Sequence, residues 1–303
     1  MSIFVCTRDD KLTRLGPDGA TVLEGVGVQC VAAAGERALV GTRGQGAFLS
    51  TDDGATWERV ELPESDIFSV AIGAADGALY AGSEPSRLFV ARDGAWEELE
   101  ALQDIPSRRE WSFPPRPWTH HVRWIAPDPH DAERLLVGIE LGGLMYSDDG
   151  GATFSDHRPG AKRDVHELAW HPHVHDRAYE AAGDGAAWSR DGGRTWEAAD
   201  AGRDLGYCWA LAVDPADPDR WYVSAASGPG PAHRGETARG RLYRWDGSWT
   251  PLRLPGDSMP YALAARDGEL LAGMADGRIL LSADRGESWE ELTPRVGSIT
   301  ALA

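Results

Sequence analysis

His120, His121 and His166, the carboxylates Glu140 and Glu180, and the guanidinium of Arg123 are the groups in this chain whose types can move a proton or hold an anion. An imidazole titrates near neutral pH and serves as general acid or base, a carboxylate orients it, and arginine grips an anion through paired N–H donors. His120 and His166 are the candidate acid/base residues, Arg123 the anion contact, and Glu140 or Glu180 the carboxylate partner. Arg43, Glu84, Arg87, Trp118, His121, Tyr207, Trp209, His233, Arg234 and Tyr261 are further candidate ligand contacts, arginines for charge and aromatics for stacking. The same imidazoles are metal donors in type, with a glutamate completing the set and copper, zinc or iron as the ion. Neither HExxH nor H-x-x-x-H links His120, His121 and His166, so such ligands would come from separate segments. His171, His173 and His175 stand closer together in sequence and read as turn residues on a far face, adventitious metal binding being the alternative.

Those groups are brought to one place by a repeat. Ser50-Thr51-Asp52-Asp53-Gly54-Ala55-Thr56-Trp57 recurs as Ser147 to Phe154, Ser189 to Trp196 and Ser282 to Trp289. In the pattern S-x-D-x-G-x-[ST]-[WF] the Asp accepts bonds from turn amides and the Gly supplies a positive φ. The hydroxyl ties the two arms, and the aromatic is expected to bury against the next repeat. The acids of these turns, Asp191 and Asp148 among them, are expected to be structural. Short apolar runs surround each turn, four to a unit of about 40 residues, which is the signature of a propeller blade.

The motif resembles the Asp-box of BNR-repeat proteins, found in sialidase-like β-propellers. That family includes sialidases, other glycan-active enzymes, sortilin-type receptors and photosystem assembly factors, so the resemblance implies fold more than function. A sialidase would bring a six-bladed domain and an F/Y-R-I-P element. This chain has seven units and only Phe113-Pro114-Pro115-Arg116-Pro117, which is not equivalent. Tyr261 with Glu180 can imitate the family's Tyr–Glu pair, but no spacing requires it.

The units align as six blades, Val28 to Trp57, Ile67 to Trp96, Val122 to Phe154, Val165 to Trp196, Cys208 to Trp249 and Met259 to Trp289. The chain ends supply a seventh: Ser298 to Ala303 reads as its first strand and Ile3 to Leu15 as the other three. The fold expected is all-β, a seven-bladed β-propeller spanning residues 1–303 as one domain, closed by pairing the C-terminal strand with the N-terminal strands. No run shows helical periodicity. Insertions at 103–119 and 227–240 interrupt the pattern and are expected on one face, around the mouth of a central channel, where long loops carry function. In register, the residues rimming that mouth are Thr300, Gln29, Phe68, Arg123, His166, Trp209 and Tyr261. Glu180 is read as replacing a glycine found at Gly41, Gly82, Gly138 and Gly273.

Composition narrows the partners. The 303 residues carry a net charge of −18, with 48 acidic against 30 basic residues, a field that repels nucleic acid and anionic membrane surfaces. Cys6, Cys30 and Cys208 are widely spaced and odd in number, so buried free thiols are expected instead of a disulfide framework. The start shows no apolar leader, and no segment approaches the roughly 18 residues of a membrane helix, giving a soluble, cytoplasmic expectation. Three functions fit: a site for an anionic or hydroxylated small molecule, glycans included, with hydrolase- or lyase-like chemistry; a non-catalytic protein scaffold anchored by Trp111 and Trp118; and a metalloenzyme using the channel histidines.

Overall fold

The computed structural model describes residues 2–16, 20–113, 119–266, 268–292 and 295–303. The fold is an all-β seven-bladed propeller, its C-terminal strand Ile299–Leu302 paired with the N-terminal strand Ile3–Thr7. The chain divides into two compact units, residues 1–158 with 301–303, and residues 159–300. The first holds three sheets and all but residues 299–300 of a fourth. One runs Ile299–Leu302, Ile3–Thr7, Lys11–Leu15, Ala20–Glu24, so its outer strand lies beyond Leu15, where the sequence pattern ends it. The next begin at Val28–Ala34, Ile67–Ile72 and Val122–Pro127. The last of these has three strands, the fourth being reduced to one bridge between Tyr146 and Ser155. The second unit holds three four-stranded sheets that begin at Val165–Trp170, Tyr207–Val213 and Pro260–Arg266.

Among the described residues, helix is confined to short turns in or beside the two insertions. Glu100–Asp104 and Pro106–Glu110 are 3-10 turns, Pro229–His233 is one turn of α-helix, and Gly235–Thr237 is again 3-10. Runs of three to five residues cannot display a 3.6-residue period, which is why the sequence pattern shows none. No helix among these residues is long and apolar enough to cross a membrane.

The repeated turns are identical in their bonding. Ser50 Oγ donates to Asp52 Oδ1 (2.8 Å) and accepts from the Gly54 amide (2.9 Å), while Thr56 donates its amide to Oδ1 (2.9 Å) and its hydroxyl to Oδ2 (2.6 Å). The same four bonds recur around Asp149, Asp191 and Asp284. The acid of the second turn is therefore Asp149; Asp148 is the variable neighbour. The hydroxyl bond from Thr56, then its amide, holds Asp52 down to about 2, and Ser288 does the same for Asp284.

Six first strands share a second irregularity. Pairing slips between Val28 and Cys30, Ile67 and Ser69, Val122 and Trp124, Val165 and Glu167, Cys208 and Leu211, and Pro260 and Ala262. The residues left out of the ladder include Gln29, Phe68, Arg123, His166, Trp209 and Tyr261, the positions that the sequence register places at the rim. A bulge re-aims the side chain it carries and is common beside functional sites. The residue after the bulge lies opposite Gly41, Gly82, Gly138 and Gly273, and in the Val165 sheet opposite Ala181. Glu180 is thus one residue off the glycine position and aligns with Val40, Ala81, Val137 and Ala272. A one-residue shift moves a side chain to the other face of its sheet. The correction makes Glu180 a carboxyl in an apolar position.

Candidate functional site

In the first unit the bulges gather polar groups around His121. Its ring is 1% exposed. Nε2 lies 2.7 Å from Glu140 Oε2, and Arg123 Nε is 3.3 Å from the same oxygen. Nδ1 is 3.2 Å from Glu84 Oε2 but makes no hydrogen bond among the described residues, so the contact is close and poorly aligned. Phe68 stacks on the imidazole at 3.7 Å, Phe113 from the insertion lies at 5.1 Å, and the Arg123 guanidinium sits 5.8 Å from the Phe68 centroid. Thr119 donates to Glu84 Oε1 (2.8 Å). Asp66 borders the group, accepting from Gln29 (3.2 Å), and burial raises its carboxyl above the usual range.

His120 is separated from this cluster. Successive residues of an extended chain point to opposite sides, and His120 meets the edge of Trp111 at 5.4 Å instead. Burial, then the charge of Arg108, pushes its imidazole down to about 4. Trp111 is buried and donates to Ser107 Oγ (3.1 Å) within the core of the unit, so it presents no open face to a partner. Trp118, with residues 114–117, lies outside the described residues. The charge of Arg87 is met by Glu98 and by Glu64 (2.8 Å). Arg43 is exposed and donates to Gln29 Oε1 at 3.0 Å.

In the second unit, His166 is buried, with Nδ1 2.6 Å from the Cys208 carbonyl oxygen and Nε2 3.4 Å from Tyr207 Oη and 3.8 Å from Asp164 Oδ1. Trp209 packs against His166 (5.0 Å), Tyr261 (5.1 Å) and His233 (5.2 Å). Tyr261 Oη donates to the Ala232 carbonyl (2.6 Å), fastening the helical turn of the insertion beside Trp209. His233 and Arg234 are exposed. Glu180 is fully buried; Oε2 accepts from the Lys162 amide (2.9 Å), and Oε1 has no hydrogen-bond partner among the described residues. Burial pushes this carboxyl up to about 8. His171 is also buried, against the expectation of a surface residue, and its Nδ1 accepts the amides of His173 (3.1 Å) and Val174 (2.9 Å) as a turn clasp.

Two groups escape the sequence reading, Asp66 and Asp164. A signal for them exists. Asp66, His121, Asp164 and Tyr207 each stand two residues before the bulge residues Phe68, Arg123, His166 and Trp209, which defines a second polar row.

The class of fold is thus a seven-bladed propeller, with a bulged first strand in six sheets among the described residues. Among solved structures the chain is similar to the GH74 xyloglucanase from Xanthomonas campestris, with TM-score 0.73 and 18% identity over 94% of this chain and 50% of that one. It is similar to an ancestral GH74 enzyme with TM-score 0.65 and 14% identity over 93% of this chain and 36% of that one. YCF48 bound to D1 peptide gives TM-score 0.59 and 16% identity over 88% of this chain and 82% of that one. The chain therefore spans half the length of the xyloglucanase, and less of the ancestral enzyme. No protein-family model and no curated protein sequence matches it. Likeness at this level of identity shows the fold alone.

Proposed function

We propose that the chain binds a small hydroxylated molecule of sugar-like chemistry at the His121 cluster and transfers protons there. The observation that carries this reading is the His121 ring fixed by Glu140 on one nitrogen while the other lies 3.2 Å from Glu84 without a hydrogen bond. A carboxylate that orients one nitrogen leaves the other for proton transfer. A hydroxylated ligand fits better than an anionic one. Arg87 is committed to Glu64 and Glu98, and Arg123 to Glu140, whereas Glu84 and Asp66 are acceptors suited to hydroxyl donors. The Asp-box turns and the similarity to a xyloglucanase support a carbohydrate ligand and a BNR-type propeller. Hydrolysis or elimination is the class of reaction that an imidazole–carboxylate acid/base pair serves. The scaffold reading is weakened by the burial of Trp111. The net charge of −18 supports a partner other than nucleic acid or an anionic membrane, and the same reading takes the protein as cytoplasmic.

The test is a calorimetric and turnover screen of neutral sugars, polyols and sugar acids. A hydroxylated hit whose affinity falls at least tenfold in Glu84→Gln and whose turnover is lost in His121→Asn, with melting unchanged, supports the reading. Hits indifferent to both substitutions, or hits confined to sugar acids, overturn it.

A further inference from the structure

We propose that His166, Asp164 and Tyr207 form a binding site for a divalent first-row transition ion, Zn²⁺ or Cu²⁺, within the second unit. Three observations point there. The Cys208 carbonyl can only accept, so His166 Nδ1, 2.6 Å away, donates to it, which leaves Nε2, on the opposite side of the ring, as the nitrogen that can bind an ion. A backbone carbonyl on the outer nitrogen is the arrangement that fixes metal-binding histidines and raises their donor strength. The Nε2 atom then faces two oxygen donors, Tyr207 Oη at 3.4 Å and Asp164 Oδ1 at 3.8 Å. Donors that each sit about 2.0–2.2 Å from a shared ion are separated by roughly 3–4 Å, so both distances fit one ion between them.

The placement is built by the fold. His166 is the bulge residue of its strand and Asp164 stands two residues earlier, while Tyr207 opens the first strand of the next sheet. The His166 ring is held laterally by Tyr207 and Trp209, each with its centroid 5.0 Å away. One nitrogen and two hard oxygens select against Cu⁺, which prefers thiolate and thioether, and against Ca²⁺, which takes about six to eight oxygens. Cys208 meets the ring with its carbonyl, while its thiol is directed to the Gly206 carbonyl (3.7 Å).

The experiment is direct titration of the 303-residue protein, prepared without a histidine tag and stripped with chelator, with Zn²⁺ and with Cu²⁺. All forms carry His173→Ala and His175→Ala to remove the turn histidines as competing ligands. One equivalent is expected to bind. Affinity should fall roughly 100-fold in His166→Gln and about tenfold in Asp164→Asn. Tyr207→Phe keeps the ring packing and should cost a smaller factor, which guards against a variant that fails merely by unfolding. Absence of stoichiometric binding, or binding unchanged in Asp164→Asn and Tyr207→Phe while both melt as wild type, would show a purely structural hydrogen-bond cluster and overturn the proposal.

Discussion

The imidazole of His121 lies flat on the ring of Phe68, centroids 3.7 Å apart and planes inclined by 17°. Phe68 is the bulge residue of one sheet, and His121 stands two residues before the bulge of the next, so the stack ties the two polar rows together. It also makes Phe68 a wall that fixes the imidazole plane while Glu140 fixes its rotation within that plane.

Removing the wall should therefore affect ligand more than fold. Phe68→Ala is expected to weaken any ligand that depends on Glu84 by about tenfold, and to cost about 1–3 kcal/mol of stability for a partly buried ring. Calorimetry and thermal melting on the same preparation check it. Lower melting with unchanged ligand affinity would assign the stack a packing role only.

Glu180 gives a pH dependence of definite sign. Its ordinary value of 4.5 in the unfolded chain rises to about 8 on folding, chiefly through burial. The folded state holds a proton that the unfolded state has released, so its stabilising effect is full below pH 4.5 and is lost as pH rises to about 8. Glu180→Gln cannot ionise. It should flatten the decline across that window by an amount on the order of 3–5 kcal/mol at most, and should be the more stable form at about pH 9. Denaturant midpoints at acid, neutral and alkaline pH suffice. Parallel curves for the two proteins would mean that Glu180 stays ionised in the fold.

The repeated S-x-D-x-G turns should be costly to break despite their position at the surface. Asp191 accepts two amide bonds and two hydroxyl bonds, from Arg194, Thr195 and Ser189. Asp191→Ala removes four bonds to a carboxylate, with water able to reach the three exposed donors, and is expected to destabilise by roughly 1–3 kcal/mol. Asp148→Ala, one residue from the equivalent acid Asp149, should cost far less. Equal losses in urea unfolding would contradict the bonding scheme.

Much of this architecture is legible in sequence because its recurring turn is local. The S-x-D-x-G-x-[ST]-[WF] turn closes its bonds within the motif, so spacing alone announces it, and counting from it reaches the residues that the bulges carry. What counting misses depends on the bulges. The bulge in the Val165 strand puts Glu180 out of line with the glycines, and the one in the Val122 strand sets the register in which His121, and not His120, meets Glu140. The commitment of Arg87 to two glutamates is equally hidden, since Glu64 and Glu98 lie 23 and 11 residues away along the chain. The burial of Trp111 is hidden because the insertion folds as short 3-10 turns with no sequence period.

The glycines opposite the bulges are a packing requirement. A Cβ on Gly82 would stand 2.5 Å from Val122 Cγ1 and 2.6 Å from Ser69 Oγ, and one on Gly41 would stand 2.5 Å from Cys30 Sγ. Gly82→Ala is expected to destabilise by about 1–3 kcal/mol through overpacking, although its backbone conformation suits any residue. Thermal melting decides it; an unchanged midpoint would show that Val122 moves aside freely.

The terminal strand carries a larger share of stability. Ala303 and Phe4 exchange two backbone bonds, 2.8 Å and 3.0 Å, and Ile299 on the adjoining strand is fully buried. Deleting residues 298–303 removes that buried side chain and exposes the backbone edge of Ile3–Thr7. Burying one isoleucine contributes about 1.5–3 kcal/mol and each ladder bond roughly 0.5–1.5, so a loss on the order of 3–6 kcal/mol is expected. An open strand edge also invites pairing with another chain, so the truncated protein should self-associate in light scattering as well as melt earlier. A truncated protein that stays monodisperse and melts as the full chain does would show that the pairing of the two termini adds nothing to the stability of the fold.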